Sequence, residues 1–154
     1  MVLVKNIYMQ RGYTIIELLI VVVLISILAV FSTSSFIDYR NEQIHRTSVL
    51  EVSTIIKETR LKTVSSETID QFGVHIATSS VVVFEGTPFN IADVDNQTFL
   101  IPGATLGVTL SDASSEIVFT RLTGVPSATG TIDVVDKKLN STTTLTIGSS
   151  GLIE

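Results

Sequence analysis

An apolar run from Ile15 to Phe31 follows closely on a short basic segment that ends at Gly12. Glu17 is the only charged residue in this run, and the next charged residue is Asp38. Because a helix rises about 1.5 Å per residue, a run of this length reaches about 30 Å, the thickness of a bilayer's hydrocarbon core. The sequence therefore predicts a helix whose membrane-spanning part covers about residues 15–36.

The charges around the run predict its orientation. Lys5 and Arg11 precede it without any acidic residue, and basic flanks favour the cytoplasmic side. A secretory signal would place small residues at a cleavage site after the apolar core, but residues 29–32 read Ala-Val-Phe-Ser, a poor match. Gly12 stands before the run instead, so cleavage there would keep the apolar segment in the mature protein.

The stretch from Arg11 to Ile25 (RGYTIIELLIVVVLI) resembles the class III leader junction of type IV pilins and type II secretion pseudopilins. In that family a prepilin peptidase cuts after the glycine and methylates the new N-terminus. The resemblance implies a leader over residues 1–12, a cut between Gly12 and Tyr13, and N-methylation of Tyr13. Glycine suits a protease pocket because it has no side chain to obstruct it.

Glu17 is the fifth residue counted from Tyr13. A carboxylate inside a membrane costs about 3 kcal/mol or more, although a helix N-terminus favours negative charge. The resemblance implies that Glu17 pairs with the N-terminal amine of a neighbouring subunit and sets the register of assembly. The alternative is an interfacial glutamate that reaches the lipid headgroups.

The pattern after the apolar run predicts the fold. No Gly or Pro occurs between Asp38 and Val64, and apolar residues recur every three or four positions, namely Ile44, Val49, Val52, Ile55, Ile56, Leu61 and Val64. One helix is thus expected over residues 13–64, about 75 Å long. Residues 65–154 are expected to form a β-rich domain. The fold class is α+β, the pilin fold: a long N-terminal helix packed against a small antiparallel β-sheet domain.

Seven strands are predicted in residues 65–154 from short apolar runs separated by turn residues. They are Phe72–Ile76, Ser80–Phe84, Thr98–Ile101, Thr105–Leu110, Glu116–Thr120, Thr131–Val135 and Thr143–Ile147. The segments Ile117–Gly124, Gly130–Ile132 and Leu145–Gly151 resemble the GspH/FimT family of minor pseudopilins and pilins. This second resemblance implies a minor, priming or tip subunit.

Several site classes are excluded or disfavoured. The chain has no cysteine, so disulfides, zinc–cysteine sites and thiol nucleophiles are excluded. A net charge of −5 without a cluster of Lys or Arg disfavours nucleic-acid binding. Asp93–Asn96 lacks the glycine and distal glutamate of a calcium loop and is interpreted as a turn. His45 and His75 have no nucleophile arranged with them in sequence, so no catalytic residue, cofactor or metal is assigned.

These patterns predict a pilin-like structural subunit and not an enzyme. The expected partners are prepilin peptidase, other pilin or pseudopilin subunits, an assembly platform with its ATPase, and membrane lipid before assembly. The expected location is the cytoplasmic membrane, with one pass and a cytoplasmic N-terminus, and then a pilus or a type II secretion pseudopilus. The sequence leaves pilus and pseudopilus as alternatives. The rival interpretation is a signal-anchored extracytoplasmic binding domain that does not polymerise.

Overall fold

The long helix predicted at the N-terminus is present. The computed structural model describes residues 12–136, 138 and 141–154, without side-chain detail for residues 31–35. In it a single helix, α1, runs from Ile15 to Val64. Its length agrees with the absence of Gly and Pro from this stretch, since either residue would weaken or break a helix interior. The predicted leader, residues 1–12, lies outside the described residues except for Gly12.

The apolar half of α1 was predicted to span a membrane. Among the described residues, no helix combines the length and the apolarity needed to cross one. The predicted membrane part, about residues 15–36, includes residues 31–35, whose side chains lie outside the description. The membrane span stays a prediction.

The β-rich part contains all seven predicted strands, with shifts of one or two residues at some ends. They are β1 (Phe72–Ile76), β2 (Ser80–Glu85), β3 (Gln97–Leu100), β4 (Thr105–Leu110), β5 (Glu116–Val118), β6 (Gly130–Asp136) and β7 (Ser141–Ile147). The strands form two antiparallel sheets and not the single sheet that was expected. One sheet has the order β3-β2-β1-β5 and the other has the order β4-β6-β7.

Chain connectivity explains the division into two sheets. β5 returns to pair with β1, where Val74 lies opposite Ile117, so the first sheet closes before the chain reaches β6. β4 instead pairs with β6 across the intervening β5, and Val108 lies opposite Ile132. After β7 the chain turns back, and Ile153 forms a bridge with Ile147. Strand pairing between distant segments therefore decides the architecture.

The chain divides into two compact units, and the second, Arg40–Glu154, contains the core. Inward residues of both sheets alternate with outward ones, as half-buried strands require. They pack on one face of the Arg40–Val64 part of α1, where Val52, Ile55 and Ile56 are buried. This contact of helix and sheets confirms the predicted α+β class.

The buried face of α1 is more polar than predicted. Leu61 was placed on this face but is exposed, whereas His45, Ser48, Thr59 and Thr63 are buried. Ser48 and His45 bond to residues of the β-rich part, and Nδ1 of His45 has no hydrogen-bond partner among the described residues. The two threonines find partners within the helix, because buried hydroxyls need them. The hydroxyls of Thr59 and Thr63 donate to carbonyls four residues earlier, at 2.8 and 3.0 Å. Apolar spacing alone misses such positions.

Phe119→Ala tests the core. Phe119 is fully buried, and its backbone N–H donates to Phe72 O at 3.0 Å. Removing the ring should lower the free energy of unfolding by about 3–5 kcal/mol because it leaves a cavity among well-packed neighbours. Denaturant unfolding of the purified full chain, followed by circular dichroism, measures this. Val125→Ala, at a partly exposed position, is the control, and an equal loss in both variants would contradict the assigned core.

Candidate functional site

The junction between residues 12 and 13 is open to solvent. Gly12 and Tyr13 precede the first turn of α1, and Tyr13 is 85 % exposed. A Cβ placed on Gly12 would meet no atom within 4 Å. The peptide bond that joins these residues is therefore free of contacts that would shield it from a protease within the described part of the chain.

Thr14 caps the N-terminus of α1. Its Oγ1 accepts a hydrogen bond from the backbone N–H of Glu17 at 3.3 Å, and its carbonyl accepts from Leu18 N at 3.2 Å. Thr14 thus occupies the N-cap position and Glu17 the third helical position, the spacing of a capping box. The sequence Thr-Ile-Ile-Glu ahead of an apolar run is the signal for this capping box, and the sequence analysis missed it.

The capped turn places the Glu17 carboxylate at the positive end of the helix dipole. Among the described residues Glu17 forms no salt bridge. Its side chain is exposed, as are those of Ile16 and Leu18 on either side. One unpaired acid thus stands in an otherwise apolar surface, where an ammonium from another molecule would have access to it.

The apolar residues of the first half of α1 are exposed. The large apolar side chains from Ile15 to Val30 are between 47 and 87 % exposed. The polar residue among them, Ser26, donates its hydroxyl to the carbonyl of Val22 at 2.8 Å and so presents no unsatisfied donor. Such a continuous apolar surface on a helix requires lipid or other protein to cover it.

One comparison with known proteins, the one with protein families, matches this segment. The prokaryotic N-terminal methylation motif matches residues 7–33, which contain the open junction, the Thr14 cap, Glu17 and the apolar run. The matched motif supports a class III prepilin leader. This confirms the resemblance to type IV pilins and pseudopilins seen at the leader junction. Comparison of the chain with curated proteins and with solved structures gives no significant match.

A class III leader implies processing by prepilin peptidase and assembly with other pilins. The leader motif indicates a structural protein, in agreement with the predicted class. The motif covers only the N-terminal part of the chain, so the role of the β-rich part has to be argued from its own residues.

Arg60 joins two glycine turns of the β-rich part. Its Nε donates to Gly124 O at 3.0 Å and its Nη2 donates to Ser150 O at 3.1 Å. Gly124 and Gly151 both have positive φ, 67° and 75°. These are the two glycines that end segments of the GspH/FimT resemblance, and the helix holds both turns together through one guanidinium. Sequence analysis did not single out Arg60, since its partners are far away in the chain.

Gly151→Ala is expected to destabilise this arrangement. A Cβ at this position would collide with Gly124 O and the Arg60 side chain, and φ of 75° is unfavourable for alanine. The free energy of unfolding should fall by about 1–3 kcal/mol. The matched control is Gly107→Ala, where the nearest atom, Cβ of Asp133, is 3.7 Å away and the variant should be nearly neutral. Denaturant midpoints compare the two, and similar values would contradict the role of the turn.

The two histidines occupy structural positions. His45 is buried, and its Nε2 lies 2.9 Å from Thr143 Oγ1. The ring of His75 stacks on Phe89 at 4.3 Å. In the described residues no cluster of three or more His, Asp or Glu could hold a metal ion. Asp93 and Asp95 lie in an exposed turn, where Asp93 Oδ1 accepts from Asp95 N at 3.2 Å.

Proposed function

We propose that this chain is a type IV pilin-like subunit, a minor pilin or a pseudopilin, that is cut between Gly12 and Tyr13 and assembled into a filament. The observation that carries the proposal is the N-terminal methylation motif at residues 7–33. It coincides with a capped helix start, one acid and an uncovered apolar surface. A structural, non-enzymatic role follows, since the motif serves processing and assembly.

Before assembly, the apolar half of α1 resides in the cytoplasmic membrane. Lys5 and Arg11 favour a cytoplasmic N-terminus, so the Arg40–Glu154 unit lies on the other side. Helical structure satisfies every backbone group in lipid, which outweighs the weak helix propensity of Val21, Val22 and Val23. The leader motif and the exposed apolar side chains support this placement.

Cleavage exposes a new amine at Tyr13, one helical turn from Glu17. A carboxylate in an apolar setting needs a cation, and removal of one member of a buried ion pair costs about 3–5 kcal/mol. The amine of Tyr13 in the neighbouring subunit is a suitable cation, because both groups lie at the same end of their helices. Pairing at this point fixes the axial register of adjacent helices.

Packing of like helices covers the remaining apolar surface of Ile15–Val30. When the apolar half of α1 moves from lipid to neighbouring helices, it leaves one apolar environment and enters another. The hydrophobic driving force for this transfer is therefore small. Extraction of the subunit from the membrane therefore requires energy from an assembly platform and an ATPase, which are separate proteins. The filament is then a pilus or a type II secretion pseudopilus.

The minor-subunit role rests on the β-rich part. Two of its three segments with GspH/FimT resemblance meet at Arg60, which ties the Gly124 and Gly151 turns to α1. This resemblance supports a subunit that primes or ends a filament more than one that forms its bulk.

Determination of the mature N-terminus tests the proposal. The precursor is expressed with and without a prepilin peptidase, and the intact mass and N-terminal peptide are measured by mass spectrometry. The expected product with peptidase starts at N-methyl-Tyr13, and without it at Met1. A product uncut in the presence of peptidase, or one cut near Ser32, would instead favour a signal-anchored binding domain that does not polymerise.

A further inference from the structure

Acidic and basic residues are separated within the Arg40–Glu154 unit. No Lys or Arg occurs between Lys62 and Arg121, although this stretch supplies β1, β2, β3 and β5, the whole of one sheet. Two loops at one end of that sheet, together with the last residue of β2, carry five of the seven carboxylates of this stretch. We call this region the acidic surface, and its charged residues are Glu67, Asp70, Glu85, Asp93 and Asp95.

The two loops of the acidic surface lie side by side. Gly86 N donates to Gln71 O at 2.8 Å, which joins the start of one loop to the end of the other. Glu67, Glu85 and Asp95 line a common cavity of about 250 Å³, together with the single cation Lys62. The local charge therefore remains strongly negative.

The acidic surface also exposes branched apolar side chains. Ile69 is 85 %, Ile91 87 % and Val94 92 % exposed. The second loop is held in place by Phe89, which stacks on His75, and by a 2.7 Å bond from Asn96 Nδ2 to Asn90 O. A preformed surface that combines acids with exposed aliphatic residues is suited to a partner that offers cations and apolar groups.

The same unit carries a surface of opposite composition. It surrounds the C-terminal part of α1, and we call it the basic surface. Its cations are Lys57, Arg60 and Arg121, its apolar residues are Leu61, Leu122 and Leu152, each more than half exposed, and the exposed acid Glu58 borders Leu61.

Hydrogen bonds hold the residues of the basic surface close together. Arg60 bonds to the Gly124 and Ser150 carbonyls, and Leu122 N donates to Thr63 O at 3.4 Å. A groove of about 460 Å³ runs between Leu61 and Leu152, with Glu154 as an acid at its edge.

We propose that the acidic surface of one copy of this chain docks on the basic surface of the next copy. Opposite charges select the orientation and the leucine groove receives the exposed aliphatic residues. Because the two surfaces are different, the contact is heterologous and repeats without closing a symmetric dimer, as a filament requires. The inference rests on the proposed function and adds to it the contact between globular parts of adjacent subunits.

Cysteine cross-linking tests this contact directly, because the chain contains no cysteine of its own. Full-length chains with Val94→Cys are co-expressed, together with the assembly machinery, with differently tagged chains carrying Leu61→Cys, Leu122→Cys or Leu152→Cys. Oxidation should give a covalent dimer of the two tags with at least one of the three, since a disulfide needs Cα atoms within about 7 Å. Thr144→Cys, an exposed position on β7, is the control partner for Val94→Cys.

Charge reversal distinguishes specific docking from cross-links that form by random encounters of two chains. Asp70→Lys with Asp95→Lys should reduce the cross-linked yield at least about tenfold, equivalent to about 1.4 kcal/mol. Neither of the two side chains makes a hydrogen bond among the described residues, so the fold should persist. Lys57→Glu with Arg121→Glu in the other copy should restore the yield.

The outcomes are distinct. Filaments that form without any of the three cross-links, or with equal yield at Thr144→Cys, would overturn the docking contact and leave the proposed function intact. Cross-linking of the Val94 chain to another, basic protein instead would also overturn it. If the unmodified chain forms no filament under the same conditions, the failure belongs to the proposed function, and the cross-link in membranes before assembly still decides the contact.

Discussion

Glu17→Ala is expected to leave cleavage at Gly12 intact and to abolish incorporation into filaments. The substitution removes the only acid of the apolar half of α1 and leaves the neighbour's amine without a counter-charge. Since an unpaired buried charge costs about 3–5 kcal/mol, incorporation should fall by about two orders of magnitude or more. Mass spectrometry of the N-terminus and immunoblotting of sheared filaments measure the two steps separately.

The Glu17→Gln variant distinguishes two roles of Glu17: setting the register of assembly through its charge, and capping its own helix. Glutamine also fits the third position of a capping box, and the backbone N–H that donates to Thr14 Oγ1 remains in place. If only capping matters, the glutamine variant assembles normally. If the charge sets the register, it fails as the alanine variant does. Ser26→Ala, the other polar position between Ile15 and Phe31, is the matched control and should assemble normally, because its hydroxyl is satisfied within its own helix.

Gly12→Val is expected to prevent processing without harming the fold. No atom lies within 4 Å of the position that a Cβ would occupy at residue 12, so the added side chain meets nothing in its own chain. A protease pocket that fits glycine would be obstructed, and displacement of the scissile bond by about 1 Å can reduce a rate by about 100-fold. The precursor should accumulate in the membrane fraction at its full mass.

A series of side chains makes this test sharper. Gly12→Ala should be cleaved at an intermediate rate, because its methyl group is the smallest obstruction. Gly148→Ala, which changes a glycine in ordinary surroundings far along the chain, should be processed at the normal rate. Normal cleavage of Gly12→Val would show that the cut does not depend on this residue and would contradict the assigned junction.

The sequence was sufficient for the elements that depend on local patterns. The continuity of α1 followed from the absence of Gly and Pro, and the strands followed from short apolar runs between turn residues. The leader junction was equally local, because glycine, glutamate and the apolar run are close in sequence. Each of these signals is contained in a window that a single element occupies.

Features that depend on distant partners could not be predicted. The strands form two sheets because β1 selects β5 and β4 selects β6, which no local pattern specifies. Arg60 resembles any charged residue of a helix surface until its carbonyl partners, 64 and 90 residues away, are known. Leu61 was assigned to the core and Thr63 was not, because buried hydroxyls follow their hydrogen bonds and not apolar spacing.

The pairing of Ile153 with Ile147 has a practical consequence for reporter fusions. Glu154 exchanges backbone hydrogen bonds with Thr146 at 2.8 and 3.0 Å, so the last described residue is part of a sheet. A fluorescent protein attached immediately after Glu154 would be crowded against β7, and this crowding would strain these hydrogen bonds. Imaging studies should therefore place a flexible Gly/Ser spacer before the fluorophore domain.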